Sequence, residues 1–200
     1  MYNRNQLEIL LEKINIKDYE KLKKLEIYIE NLTKWNKVIN LTSKNFEAIK
    51  HIQDSLMFFE VIKNPSGNLI DIGSGNGFPA IIIAILSNKL NVTMVEQNIK
   101  KSAFLRDTIY KLQIDAKVLN TNILEVPTET KFSFVTLRGL KCNCKMQTKI
   151  HSLLLTNKGK LVIWTYPAPH LKYFKLLHSF SKNNKHIHVY IKEQAEQQPI

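Results

Sequence analysis

Apolar residues fall at helical spacing through the first third of the chain and in short unbroken runs after it. From Asp18 to Ile39, Leu22, Leu25, Ile29, Leu32, Trp35 and Ile39 share one face, opposite Lys21, Lys24, Glu30, Lys34 and Lys37. That is the pattern of an amphipathic helix. A shorter helix is expected before it, at Leu7–Ile14. Asn40 to Asn45 breaks the pattern with residues that favour helix caps. Phe46–Ile62 resumes it, with Phe46, Ile49, Ile52, Leu56 and Phe59 on one side, and Asn64-Pro65-Ser66-Gly67 closes it as a turn.

Beyond Gly67 the period changes. Strands are expected at Leu69–Ile72, Val92–Glu96, Ala116–Leu119, Phe132–Leu137, Lys160–Thr165 and Ile187–Ile191. Helices are expected at Pro79–Leu86, Ile99–Gln113, Cys144–Leu155 and Pro169–Phe180. Strand and helix in alternation specify an α/β fold with a doubly wound, mostly parallel sheet. At 200 residues the chain holds one sizeable core. It reads as a single domain, with residues 1–67 an N-terminal helical extension and residues 68–200 the core. Asn183–Lys185 reads as a turn and Gln194–Ile200 as a frayed end.

Composition narrows the class. With 44% hydrophobic and 23% charged residues the chain matches a soluble globular protein. No apolar run approaches the roughly 18 residues of a membrane span. The first residues lack the basic, apolar and small-residue regions of a signal peptide, and two cysteines, Cys142 and Cys144, make no disulfide framework. A cytoplasmic, reduced protein is expected, not bound to a membrane. The net charge of +12 is uneven: residues 1–68 carry +2, residues 69–140 carry +2, and residues 141–200 carry +8. The last third is where a polyanion would feel the field, although lysines that are merely solvated give the same sum.

Candidate chemistry gathers at Asn68–Pro79, NLIDIGSGNGFP. A buried strand, a glycine turn and a helix start in succession form a cradle for a nucleotide-containing cofactor, or simply a bend. Ligands of such sheets sit beyond the carboxyl ends of the strands, at the switch in strand order. Asp71 ends the first strand and Glu96 the second, 25 positions on. Glu96 stands where a ribose diol is bound, or is an exposed strand-end acid. Asn122-Ile123-Leu124-Glu125 follows the third strand, where a backbone amide and an apolar side chain can frame an adenine. Arg138, one of three arginines, ends the fourth. Gly73, Gly75 and Gly77 directly follow an acid and lack the register of a dinucleotide loop. An acid there repels a pyrophosphate and suits an ammonium group. S-adenosylmethionine, with an ammonium, a sulfonium and a ribose but no phosphate, is therefore favoured over a nicotinamide cofactor.

With these residues in hand the chain resembles the bacterial 16S ribosomal RNA guanine-N7 methyltransferases, the glucose-inhibited division protein B family. The likeness runs from about Leu22 to Trp164. It rests on KWNKVINLTS (Lys34–Ser43), KHIQDSL (Lys50–Leu56), LIDIGSGNGFPAI (Leu69–Ile81), KKSAFLR (Lys100–Arg106) and the strand end at Arg138. The resemblance implies a Rossmann-like methyltransferase using S-adenosyl-L-methionine, with 16S rRNA, a 30S subunit or an assembly intermediate as substrate, acting as a monomer. Carried over by position, Gly73 and Phe78 match cofactor contacts, and Ile123 and Leu124 match the pair at the adenine end. Arg138 matches a further cofactor-site arginine, and His51 and Asp54 lie in the block near the pocket mouth. Cofactor-binding residues are thus Asp71, Gly73, Gly75, Gly77, Phe78, Glu96, Ile123, Leu124 and Arg138. Arg138 and His51 are expected to position the reacting groups, and Lys50, His51 and Tyr166 to meet RNA. For Asp54 a helix-packing role stands beside the functional one.

The chain departs from the family in four places. Glu96 replaces an Asp, one methylene shorter. Lys50 replaces an Arg and lacks its planar fork. Thr165-Tyr166-Pro167 replaces a Lys-Gly at the fifth strand end, where Tyr166 can stack on a base instead. The C-terminus reads as one strand short of the closing hairpin, which leaves an exposed edge.

Guanine N7 is a lone-pair nucleophile with no proton to remove, so alignment replaces base catalysis. Asp71 is expected to hold the cofactor ammonium directly or through a neighbour. Two other functions fit the residues: methyl transfer to a small molecule or a protein, and a degenerate, non-catalytic RNA-binding or cofactor-sensing module. Cys142 and Cys144 lack the context of a nucleophile or a metal site, so no metal is expected. His170, His178, His186 and His188 read as surface residues.

Overall fold

The computed structural model describes residues 4–43, 46–156 and 158–193. Three helices come first: α1 (Arg4–Glu12), α2 (Tyr19–Asn36) and α3 (Ala48–Val61). There follow β1 (Gly67–Ile72), α4 (Ala80–Leu86), β2 (Leu90–Val95), α5 (Ile99–Leu112), β3 (Ala116–Leu119) and β4 (Phe134–Arg138). The chain ends with α6 (Cys144–Leu153), β5 (Lys160–Trp164), β6 (Phe174–Lys182) and β7 (Lys185–Lys192). Local chemistry sets several boundaries. Asp18 accepts the Lys21 amide to cap α2, Asn98 accepts the Lys100 and Lys101 amides at the start of α5, and Asn143 does the same for α6.

One sheet of seven strands runs in the order β3-β2-β1-β4-β5-β7-β6. The pairs β3–β2, β2–β1, β1–β4 and β4–β5 are parallel, and β7 is antiparallel to both β5 and β6. This is the Rossmann-like α/β sheet the alternation specifies. Strand alternation divides the core between its faces. Leu69, Val92, Met94, Phe134 and Val162 join the cluster formed with α1 to α5. Ile70, Ile72, Val135, Leu137, Leu161 and Ile163 join the cluster formed with α6. The N-terminal helices belong to the first layer: α2 packs on α4 and α5, and α3 on α4 and β7.

The C-terminal expectation is overturned. Pro169–Phe180 contains no α-helix; β6 occupies most of it and pairs with β7, so no strand is missing from the closing hairpin. Leu171, Phe174, Leu177 and Phe180 fall at helical spacing by coincidence. The deciding signal is Asn183-Asn184, both at positive φ (50° and 57°), the two-residue turn whose twist matches a β-hairpin. The exposed edge is therefore β6, and Gln194–Ile200 lies outside the described residues.

Candidate active site

Strand order reverses between β1 and β4, and their carboxyl ends open a cleft of about 610 Å³. Its floor is the glycine loop. Gly77, at φ +93°, is closely packed: a Cβ there would lie 2.7 Å from Ile81 Cγ1 and 3.1 Å from the Tyr28 hydroxyl. Tyr28, fully buried, donates to the Asn76 carbonyl at 2.6 Å and ties the loop to α2. Glu96, 7% exposed, follows β2 and serves two loops at once. Its Oε2 accepts the Gly75 amide at 2.9 Å and its Oε1 the Asn98 amide at 2.8 Å. A carboxylate oxygen has two lone pairs, so each keeps acceptor capacity toward the cleft.

Of the cofactor residues expected from sequence, Gly73, Gly75, Glu96, Ile123, Leu124 and Arg138 line this cleft. Asp71, Gly77 and Phe78 do not. Asp71 shares the face of Leu69, beneath the loop rather than at its mouth. It is 1% exposed, and its Oδ1 accepts from Thr136 Oγ1 at 2.6 Å. Burial pushes its carboxyl up to about 6, and its Oδ2 has no partner among the described residues. Phe78 is buried against Tyr28 and Phe46, with the Arg138 guanidinium 5.9 Å from its ring centroid. Sequence reasoning missed Lys101, Leu140, Asn143 and Met146, which also line the cleft. The loop after β4 and the start of α6 bring the last three there.

Arg138 also forms the wall toward α3. Its Nη2 lies 2.5 Å from His51 Nδ1 and 3.0 Å from Asp54 Oδ2, so Asp54 is the ion-pair partner of the strand-end arginine. Lys185 Nζ stands 3.9 Å from the same carboxylate oxygen. Phe46 stacks on the His51 ring at 4.9 Å and 11°. Burial first, then the charges of Arg138 and Lys185, hold the His51 imidazole down to about 4. It is neutral at pH 7 and accepts at Nδ1, which places its proton on Nε2. Arg138 Nη1 is buried and unpartnered among the described residues, a donor without an acceptor in a site of this polarity.

A second hollow of about 330 Å³ adjoins the cleft and shares Arg138 and Gly139 with it. Asp54, Trp164, Tyr166, Lys185 and His186 are among its other walls. Lys50 sits farther out, exposed and paired with Glu47 at 2.6 Å, beside a hollow it shares with Lys182 and Lys185. Two expectations fail nearby. His188 is no surface residue: it is 4% exposed and bonded to the Thr165 carbonyl and Ser179. His186 is half-buried. Both follow from the hairpin that replaces the expected helix. Cys142 keeps its proton, since burial pushes its thiol up to about 11.

The donor set of the large cleft selects a ligand by chemistry. The Glu96 carboxylate suits a diol, the positive charge of Arg138 a carboxylate, and Ile123, Leu124, Leu140 and Met146 a flat apolar ring.

The profile of the family described as rRNA small subunit methyltransferase G matches residues 21–197. A ribosomal RNA small subunit methyltransferase G of Borrelia hermsii is 32% identical over 198 residues, covering 96% of this chain and 92% of its own. The protein of the same name from Jannaschia sp. is 35% identical over 118 residues, and that match spans 56% of each chain. Among solved structures, a variant of MtNAS in complex with S-adenosylmethionine superposes with a TM-score of 0.65 at 14% identity, over 93% of this chain and 77% of that one. The ribosomal protein L11 methylase of Lactobacillus delbrueckii subsp. bulgaricus gives 0.57 at 13%, over 74% and 81%. At such identities the likeness is one of fold. The profile match, by contrast, takes in α2, the glycine loop, Glu96, Arg138 and both strands of the closing hairpin, and the chain belongs to the rRNA small subunit methyltransferase G family.

Proposed function

We propose that this chain transfers a methyl group from S-adenosylmethionine to N7 of a guanine in 16S rRNA, on the small ribosomal subunit or an assembly intermediate of it. The observation that carries the reading is Arg138, the shared wall of a cleft suited to the cofactor and a hollow suited to a base. Bound in the cleft, S-adenosylmethionine would supply an electrophilic methyl group. Glu96 would hold the ribose and Ile123 and Leu124 the adenine, while the positive charge of Arg138 in the cleft wall suits the carboxylate of the methionine end. Asp71 acts from beneath: its side chain accepts from Thr136 Oγ1 and its own backbone carbonyl accepts from Ser74 Oγ, which ties the loop to the strand.

The chemistry asks little proton handling of the protein. N7 carries a lone pair and no proton, so no general base is needed. His51, neutral and engaged at Nδ1, keeps Arg138 in place rather than moving a proton. Holding the reactants in line can remove roughly 7–11 kcal/mol of barrier. Asp54 and Asp71 offset the positive charge of Arg138 beside a base that becomes cationic. The protein acts as a monomer in the cytoplasm, where its substrate is made.

The test is a transfer assay with purified protein, S-adenosylmethionine labelled in its methyl group, and 30S subunits from cells lacking the protein. Label is expected on N7 of one guanine of 16S rRNA after nuclease digestion and mass analysis. No label, or label on protein or on another atom, contradicts the reading.

A further inference from the structure

The end of β5 puts an aromatic ring, Tyr166, where no core needs one. β4 and β5 run side by side with Arg138 opposite Trp164, so the residues just past them share one sheet edge. β7 returns antiparallel with Ile187 opposite Trp164, which brings His186 beside Tyr166. The two ring centroids lie 4.4 Å apart with planes 34° from parallel. Ser181 Oγ sits 2.7 Å from His186 Nδ1 and fixes that second ring. Tyr166 is nonetheless 75% exposed. One face is supported and the rest is open, at the rim of the hollow whose inner wall is Arg138.

Charge decides what such a ring does there. In the proposed reaction the N7 lone pair forms a bond to the methyl carbon while the carbon–sulfur bond breaks, its electron pair going to sulfur. The sulfonium becomes neutral, the guanine gains one positive charge, and no proton moves. An aromatic face attracts a cation more than a neutral ring. A tyrosine stacked on the target base therefore interacts more strongly with the transition state than with the bound substrate, and that difference raises kcat. Arg138 and Lys185 oppose a cation, and Asp54, which faces both of them, offsets one of their two charges; the ring supplies attraction that the charges around the hollow do not.

We propose that Tyr166, backed by His186, stacks on the target guanine and stabilises the positive charge that appears as N7 takes the methyl. The inference rests on the methyl-transfer reading above and assigns a catalytic contact at the same site. It also gives the strand end a chemical role in a chain that carries Thr165-Tyr166 there.

The experiment compares wild type, Tyr166→Phe, Tyr166→Leu and His186→Ala on 30S subunits from cells lacking the protein. Tyr166→Leu should lower kcat about five- to thirty-fold with KM for the subunit within threefold. Tyr166→Phe, which keeps the ring, should stay within threefold in kcat. His186→Ala should fall between the two. Cofactor affinity should be unchanged in all, because both side chains lie outside the cleft, and melting temperature should be unchanged in the two Tyr166 variants, because that side chain is exposed. An unchanged kcat in Tyr166→Leu, a rise in KM alone, or an equal loss in Tyr166→Phe each overturns the stacking role while the methyl-transfer reading stands. A wild-type protein that labels no guanine N7 overturns both.

Discussion

Arg138 Nη2 and His51 Nδ1 lie 2.5 Å apart, which joins the end of β4 to the first turns of α3. A neutral histidine accepting from a half-buried arginine has a consequence for pH. The His51 imidazole is held down to about 4, by burial and then by the charges of Arg138 and Lys185. Asp71, on β1, is pushed up to about 6 by burial. The two shifts have opposite linkage signs.

Between pH 4 and 6.5 the unfolded chain protonates His51 and the native one does not, so this group makes stability rise with pH. Between about 3.8 and 6 the native chain protonates Asp71 and the unfolded one does not, so this group makes stability fall with pH. In wild type they largely cancel. Asp71→Asn should show stability rising more steeply with pH over 4–6.5 than wild type. His51→Gln should show the opposite slope, the Asp71 share amounting to about 3 kcal/mol. Urea midpoints at pH 4, 5, 6 and 7 measure both, and profiles parallel to wild type in either variant contradict the assignment.

Glu96 anchors two backbone amides from different loops of the cleft. Hydrogen bonds to a charged acceptor contribute about 1.5–3 kcal/mol each. Glu96→Ala should therefore weaken S-adenosylmethionine binding at least tenfold by calorimetry while the protein stays folded. An unchanged dissociation constant removes Glu96 from the cofactor site.

Two glycines at positive φ separate packing from backbone strain. Gly77 (φ +93°) has Ile81 and Tyr28 against the place a Cβ would fill, whereas Gly139 (φ +73°) has nothing within 4 Å. Gly139→Ala should cost about 1 kcal/mol, the backbone preference alone. Gly77→Ala should cost a further 1–3 kcal/mol, in the range of overpacking a filled core, and loosen the loop held by Tyr28. Equal shifts in melting temperature would show that the Gly77 contacts carry no energy.

Much of this was legible in the sequence because it is local. The strand, glycine turn and helix start at Asn68–Pro79, the acid at Glu96, and the first five parallel strands all follow from spacing within short windows. What failed was what local spacing cannot decide. Phe174–Lys182 carries a helical period and is still a strand, because Asn183-Asn184 folds it back on Lys185–Lys192. That error also hid the placement of His186 beside Tyr166 and the burial of His188. Residue order sets Asp71 next to the glycine turn as a partner for an ammonium group, but strand alternation turns it to the face of Leu69, under the loop. Leu140 and Met146 have no pattern to announce them. The contact between His51 and Arg138 spans 87 positions, and only the assembled sheet and α3 bring it about.

The central claim is that this chain makes 7-methylguanosine in the rRNA of the small subunit. Mass mapping of 16S rRNA from matched cells with and without the protein tests it most directly. The account predicts one 7-methylguanosine present in the first and absent from the second, restored by the wild-type chain but not by Glu96→Ala. A 7-methylguanosine set unchanged by the deletion would contradict it.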